Sequence, residues 1–194
     1  MRPFSQKSLA TTIVNTSEFR LVSDAQCEAQ RLGRQQFLQQ FSHPWLVREL
    51  EPDERDVLVY HTGSAPTEAL PIALPTDSSF LRRLRAEPNH FALHSLIKTE
   101  RNPWLDRILI GRAQNNDIVL RAEYVSKLHA YLEEHDGSWW IHDADSANGT
   151  WLGETRIGQT GPGLRLVGGV TVRFGRVPCL LLTSHDLLDF WRIE

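Results

Sequence analysis

The chain has 194 residues, 41% of them apolar and 23% charged, with a net charge of −3 at neutral pH. That length suits one domain with an extension, or two small domains, and the composition is that of a soluble globular protein. The slight acidity speaks against nonspecific binding to nucleic acid, and no long run of Lys or Arg offsets it.

Cys27 and Cys179 make neither a disulfide framework nor a zinc pattern, which fits a reducing compartment. No run approaches the length of a membrane span, and residues 1 to 16 lack the apolar core of a signal peptide. A cytoplasmic protein without metal or cofactor is expected.

Residues 1–17 are polar and read as a flexible tail carrying Thr11, Thr12 and Thr16. From Ser23 to Phe41 the apolar residues Ala25, Ala29, Leu32, Leu38 and Phe41 recur at roughly helical spacing. Ser23 or Asp24 is the expected cap, Gly33 weakens the middle, and Pro44 closes the segment. Trp45-Leu46-Val47 and Val57 to Tyr60 read as short strands or buried loops, and Gly63 to Pro75 as an irregular link. Asp77 or Ser78 opens a short helix through Phe80, Leu81 and Leu84, stopped by Pro88. His43, His61, His90 and His94 are scattered rather than at ligand spacing, so surface or hydrogen-bonded histidines are expected. Residues 18–87 thus form a mostly helical or irregular extension of unknown role.

From Phe91 onward the pattern turns to short strands. These are Phe91 to Ile97, Arg107 to Gly111, Asp117 to Leu120, His129 to Glu134, Trp139 to His142, Thr150 to Leu152, Thr155 to Ile157, Val170 to Phe174 and Pro178 to Thr183. Asp136-Gly137 is a hairpin turn signal, and the turn spacing fits a β-sandwich. Ser184 caps a final helix, Asp186 to Trp191, expected to cover the end of the sandwich away from the site loops. Cys179 lies in an apolar run and is expected to be buried.

Chemistry gathers at the strand ends of residues 108–150. Gly111-Arg112 follows Ile108-Leu109-Ile110, Asn116-Asp117 opens N-D-I-V-L, V-S-K-L-H-A contains Ser126, Lys127 and His129, and Asp143, Ser146, Asn148, Gly149 and Thr150 stand in H-D-A-D-S-A-N-G-T. Arg112 offers a planar fork of donors, Lys127 a point charge, and Ser126 a hydroxyl, a set that suits a phosphate dianion. No Gly-rich phosphate loop or dinucleotide fingerprint is present, so the anion belongs to a protein rather than a nucleotide.

These motifs, in this order, resemble the forkhead-associated (FHA) domain, a phosphothreonine-recognition β-sandwich, over residues 88 to 185. The resemblance implies a mainly β fold for residues 88–194, including the short C-terminal helix. It implies that Arg112, Ser126 and Lys127 contact the phosphate and Asn148 the peptide main chain, in a site that Tyr124 and Ala147 border. It makes Gly111, Asn116, Asp117, His129, Asp143, Ser146, Gly149 and Thr150 structural, with His129 bracing the loops. A shallow pocket for the threonine methyl would favour phosphothreonine over phosphoserine by about 1 kcal/mol.

Three positions depart from the pattern. Ala147 lacks the hydroxyl that many relatives place on the phosphate, Gly153 replaces a common Asn, and Tyr124 replaces an arginine, against a strict preference for Asp three residues after the phosphothreonine. The implied partner is a protein phosphorylated on threonine by a separate Ser/Thr kinase. A phosphorylated Thr11 or Thr12 docking into the chain's own site is a further expectation, and a phosphate-independent scaffold is the alternative. A Ser126-His129-Asp143 triad is disfavoured because no G-x-S-x-G precedes Ser126. The chain is therefore expected not to be an enzyme.

Overall fold

The computed structural model describes residues 19–51, 54, 78–159 and 161–194. Thr11, Thr12 and the expected strand Val57 to Tyr60 lie outside the described residues. In chain order the elements are β1 (Arg20–Leu21), α1 (Val22–Gln40), β2 (Trp45–Glu49), α2 (Ser78–Ala86), a 3-10 turn (Pro88–His90), β3 (Phe91–Ser95), β4 (Arg107–Gly111) and β5 (Ile118–Val119). They continue with β6 (Ala130–His135), β7 (Ser138–Asp143), β8 (Thr150–Leu152), β9 (Thr155–Arg156), β10 (Leu164–Arg165), β11 (Thr171–Phe174), β12 (Val177–Leu182) and α3 (Ser184–Trp191).

The strands form a seven-stranded sheet, β1-β3-β2-β12-β11-β8-β9, and a five-stranded sheet, β10-β7-β6-β4-β5. The β4–β5 pair is parallel, with Ile110 opposite Ile118. One core includes Leu46, Ile110, Leu132, Ile141, Val172 and Phe174, drawn from both sheets. Strand β6 shows why a half-buried strand alternates: Ala130 and Leu132 are buried while Tyr131 and Glu133 are only partly so. The β6–β7 turn needs left-handed backbone at two positions, which Asp136 (φ 51°) and Gly137 (φ 70°) provide.

A second core includes Trp45, Val47, Leu93 and Leu182 from the seven-stranded sheet, packed with Val22 and Ala25 of α1, Phe80 and Leu84 of α2 and Leu187 of α3. Strand β2 therefore lies inside the sheet, hydrogen-bonded to β3 on one side and β12 on the other. Residues on both sides of position 87 share this sheet and its helical cover. Trp45, Leu46 and Val47 are all buried because both faces of β2 are covered, which removes the alternation that marks an ordinary antiparallel strand.

Two expected caps are corrected. Helix α1 starts after Leu21 with no side-chain cap, and Gly33 (φ 73°, ψ 167°) kinks it. The cap of α3 is Thr183, not Ser184: Thr183 Oγ1 accepts from Asp186 N–H, and the Asp186 carboxylate accepts from Thr183 N–H, a reciprocal capping box. Ser184 Oγ instead accepts from Trp45 Nε1 at 2.9 Å and donates to Phe41 O at 2.5 Å, tying α3 to the chain that links α1 and β2. Helix α3 packs beside α1, with Leu188, Ala29 and Phe37 sharing a third cluster, while its Leu187 packs on the seven-stranded sheet. His94 is buried, its Nε2 accepting from Arg48 Nε at 3.1 Å. Cys179 is buried, and burial pushes its thiol up to about 12.

Candidate functional site

Continuous backbone pairing brings the end of β4 against the segment before β6. Arg112 N–H donates to Ser126 O at 2.9 Å, Ala113 N–H to Lys127 O at 3.1 Å, and His129 N–H to Ile110 O at 2.9 Å. Arg112, Ser126 and Lys127 are therefore neighbours in space. The approach requires glycine at 111, where a Cβ would collide with the Lys127 carbonyl.

Four buried polar side chains hold the loop bases. Asn116 Nδ2 donates to Ala113 O and Lys127 O, each at 2.7 Å. The Asp117 carboxylate accepts from Thr99 N–H at 2.7 Å, Thr99 Oγ1 at 2.7 Å, Asn102 Nδ2 at 2.6 Å and Leu109 N–H at 2.7 Å. Burial alone would raise its pKa; the hydrogen bonds from Asn102, Leu109 and Thr99 together outweigh that and hold it below the usual value. The Asp143 carboxylate accepts from Ser146 N–H at 3.0 Å, Ser146 Oγ at 2.7 Å and Thr150 Oγ1 at 2.5 Å, closing the β7–β8 loop.

His129 is the fourth. Ser126 N–H donates to its Nδ1 at 2.9 Å, so Nδ1 carries no proton, and Nε2–H donates to Gly149 O at 3.1 Å. Burial lowers its pKa, against the smaller opposing effects of the Gly149 carbonyl and the Asp143 charge. With both ring nitrogens engaged by backbone, His129 has no nitrogen left to accept the Ser126 hydroxyl proton. The hydroxyl serves elsewhere: Ser126 Oγ accepts from Ala147 N–H at 3.1 Å.

The rim is different in kind. Arg112 is exposed, and its Nε donates to Val125 O at 3.2 Å. Neither Arg112 nor Lys127, which is also exposed, has a carboxylate partner among the described residues. Asn148 is exposed, and its Nδ2 donates to Tyr124 O at 2.9 Å, joining the β5–β6 and β7–β8 loops. Ala147 is exposed beside it.

The structure thus brings Arg112, Tyr124, Ser126, Lys127, Ala147 and Asn148 to one end of the sandwich, over Gly111, Asn116, His129, Asp143, Ser146, Gly149 and Thr150. Asp117 pins the neighbouring 98–106 loop. Sequence reading missed the β11–β12 turn. Gly175 N–H donates to Gly149 O at 2.9 Å, and the Arg176 guanidinium carbon lies 4.4 Å from the centre of the Tyr124 ring. The only local signal was a glycine between two apolar runs. Among the described residues there is no cluster of His, Cys, Asp and Glu placed to hold a metal. No helix among them is long and apolar enough to cross a membrane.

A model of the FHA domain matches residues 108–175, from β4 to the β11–β12 turn. The FHA domain-containing protein FhaB of Mycobacterium tuberculosis is 35% identical over 69 residues, which cover 36% of this chain and 43% of FhaB. FhaB of Mycolicibacterium smegmatis is 33% identical over 69 residues, with the same shares covered. The chain therefore spans less than half the length of these relatives. Among solved structures, M. tuberculosis EmbR in complex with a low-affinity phosphopeptide is 29% identical, with a TM-score of 0.37 over 41% of this chain and 20% of that one. The FHA domain of an Arabidopsis thaliana hypothetical protein is 26% identical, with a TM-score of 0.38 over 40% of this chain and 66% of that one. Residues 108–175 of this chain are identified as an FHA domain. Its FHA segment is completed on one sheet by β1, β2, β3 and β12, which lie outside the matched residues.

Proposed function

We propose that the chain is a phosphothreonine-dependent protein-binding adaptor in Ser/Thr kinase signalling, with no catalytic activity of its own. The observation that carries this reading is Arg112: exposed, without a carboxylate partner among the described residues, and steered by its Nε bond to Val125 O toward the Ser126–Lys127 corner. A surface arginine kept for solubility or pairing has no need of this arrangement. A phosphate does, because it takes charge-assisted bonds from a guanidinium fork, an ammonium and a hydroxyl together. Ser126 Oγ accepts from Ala147 N–H, which leaves its own proton to donate. Asn148 is the residue we assign to the bound main chain.

The test is titration with phosphothreonine, phosphoserine and unphosphorylated peptides from a degenerate library, for wild type and Arg112→Ala. Binding to phosphothreonine that disappears on dephosphorylation and collapses in the variant supports the reading. Equal binding of phosphorylated and unphosphorylated peptides sinks it. One observation favours a second, phosphate-independent scaffold reading. Leu105 is 91% exposed and Trp104 51% exposed on a loop that Asp117 and Asn102 hold in place, an apolar tip presented at a fixed position.

A further inference from the structure

We propose that the Gly175–Arg176 turn forms a second wall of the peptide site, and that Arg176 selects an acidic side chain within about four residues of the phosphothreonine. This rests on the adaptor reading and adds a charge specificity to it.

The turn is built into the site. Gly175 has φ 60°, and a Cβ there would collide with the Tyr124 carbonyl and stand 3.2 Å from Asn148 Cβ. Only glycine allows the β11–β12 turn to close on both loops at once. Tyr124 O also accepts from Asn148 Nδ2 at 2.9 Å, so Asn148, Tyr124 and the turn share one carbonyl as their meeting point. A peptide whose main chain is held by Asn148 must run past this wall.

Arg176 supplies the wall's charge. It is exposed and stacks over the Tyr124 ring at 4.4 Å. It has no ion-pair partner among the described residues, whereas Arg107, Arg83 and Arg34 each have one. Stacking and a hydrogen bond with the Tyr124 hydroxyl orient the planar guanidinium and leave its remaining N–H groups for a carboxylate, which suits arginine better than lysine. Glu123 stands at the Tyr124 hydroxyl, so the wall carries one negative charge as well as the positive one. That acid limits how many further negative charges the peptide can carry with profit. A preference for a single acidic position is therefore expected, rather than for acidic peptides in general.

Reach sets the distance along the peptide. An extended chain advances about 3.3 Å per residue. The turn touches Asn148, whose neighbour Ala147 meets Ser126 Oγ, so Arg176 stands within a few extended residues of the phosphate corner. Tyrosine at 124, where an arginine would read an acid directly, does not remove acid selection, because the opposite turn supplies the guanidinium.

The test is an isosteric scan. Phosphothreonine peptides carry Asp or Asn in turn at each of the four positions on either side, and are titrated against wild type, Arg176→Ala, Arg176→Lys and Arg112→Ala. At one position Asp is expected to bind about two- to fivefold tighter than Asn in wild type, the range of an exposed pair, and the advantage should shrink at high salt. Arg176→Ala abolishes the advantage of Asp over Asn, whatever affinity it leaves for the Asn peptide, and Arg176→Lys retains part of it. Unchanged thermal melting shows that the variants are folded. If wild type binds phosphothreonine peptides but Asp and Asn are equal everywhere, or the advantage survives in Arg176→Ala, the selection is overturned while the adaptor reading stands. If wild type binds no phosphopeptide, both fall together.

Discussion

The loop end of the sandwich has two layers with opposite habits. In the lower layer Asn116, Asp117, His129 and Asp143 are at most 5% exposed, and their polar atoms are met by protein groups. In the upper layer Arg112, Lys127, Asn148 and Arg176 are exposed and make few bonds. Buried polar groups must be satisfied internally because nothing else is there to satisfy them. Exposed cations without a carboxylate partner keep much of their charged edge in water, so a ligand can replace that water at little cost to the fold. The lower layer is thus expected to govern stability and the upper layer affinity. Substitutions that cross this division would break it.

The largest expected effect is in the lower layer. Asp117→Ala strands the Thr99 and Leu109 N–H groups, the Thr99 hydroxyl and the Asn102 amide, and should cost about 3–4 kcal/mol in denaturant unfolding. Any loss of phosphopeptide affinity should follow the loss of folded protein. Arg112→Ala should do the reverse. Losing charge-assisted bonds worth about 1.5–3 kcal/mol weakens phosphothreonine binding roughly 10- to 100-fold by calorimetry. Its unfolding free energy should stay within about 0.5 kcal/mol of wild type. A large melting shift in Arg112→Ala would mean that the two layers are not separable.

A pH series probes the lower layer through His129 and Asp117, with His43 and His142 titrating elsewhere in the fold. His43, His129 and His142 are each held below the ordinary value of 6.5, in each case chiefly by burial. Above about pH 6.5 both folded and unfolded chains keep these rings neutral, and stability should be flat. Below it the unfolded chain takes up protons that the folded chain refuses, so stability falls progressively toward the lower native values. Asp117 acts further down, its contribution being lost as the pH drops through its depressed native value. For His129 the refusal has a visible cause: protonating Nδ1 would set a donor against the Ser126 N–H. His129→Gln, whose amide can accept at one atom and donate at the other, should be less stable at pH 8 but lose less on going to pH 5. Equal slopes for the two proteins would remove His129 from the account.

How much of this was legible in the sequence depended on the reach of each contact. The hairpin β6–β7 was readable because its alternation and its Asp136-Gly137 turn are local. The Arg112, Ser126 and Asn148 corner was readable because residue type and order carry it. Strand β2 was ambiguous because helices cover its outer face and turn its pattern into a plain apolar run. The short strand β10 escaped notice because Leu164 and Arg165 are only partly buried or exposed and carry little pattern. The Asp117 anchor has partners up to 18 residues away, and Arg176 meets Tyr124 only through the folding of β11 and β12, so neither partnership leaves a local trace.

The smallest expected effect adds a group rather than removing one. Ala147 is exposed, and its N–H already donates to Ser126 Oγ, so the position is fixed in place but bears no side-chain donor. Ala147→Ser introduces a hydroxyl beside the Arg112–Ser126–Lys127 corner. One further hydrogen bond to a phosphate contributes about 1 kcal/mol, since the gain is offset by the water it displaces. Affinity for a phosphothreonine peptide should therefore rise up to about fivefold, with no change for the unphosphorylated peptide and none in melting temperature. The gain should be absent in the Arg112→Ala background if the phosphate no longer rests in the corner. An equal gain in that background would place the new hydroxyl on the peptide main chain instead, and the division of labour between Ser126 and Asn148 would need redrawing.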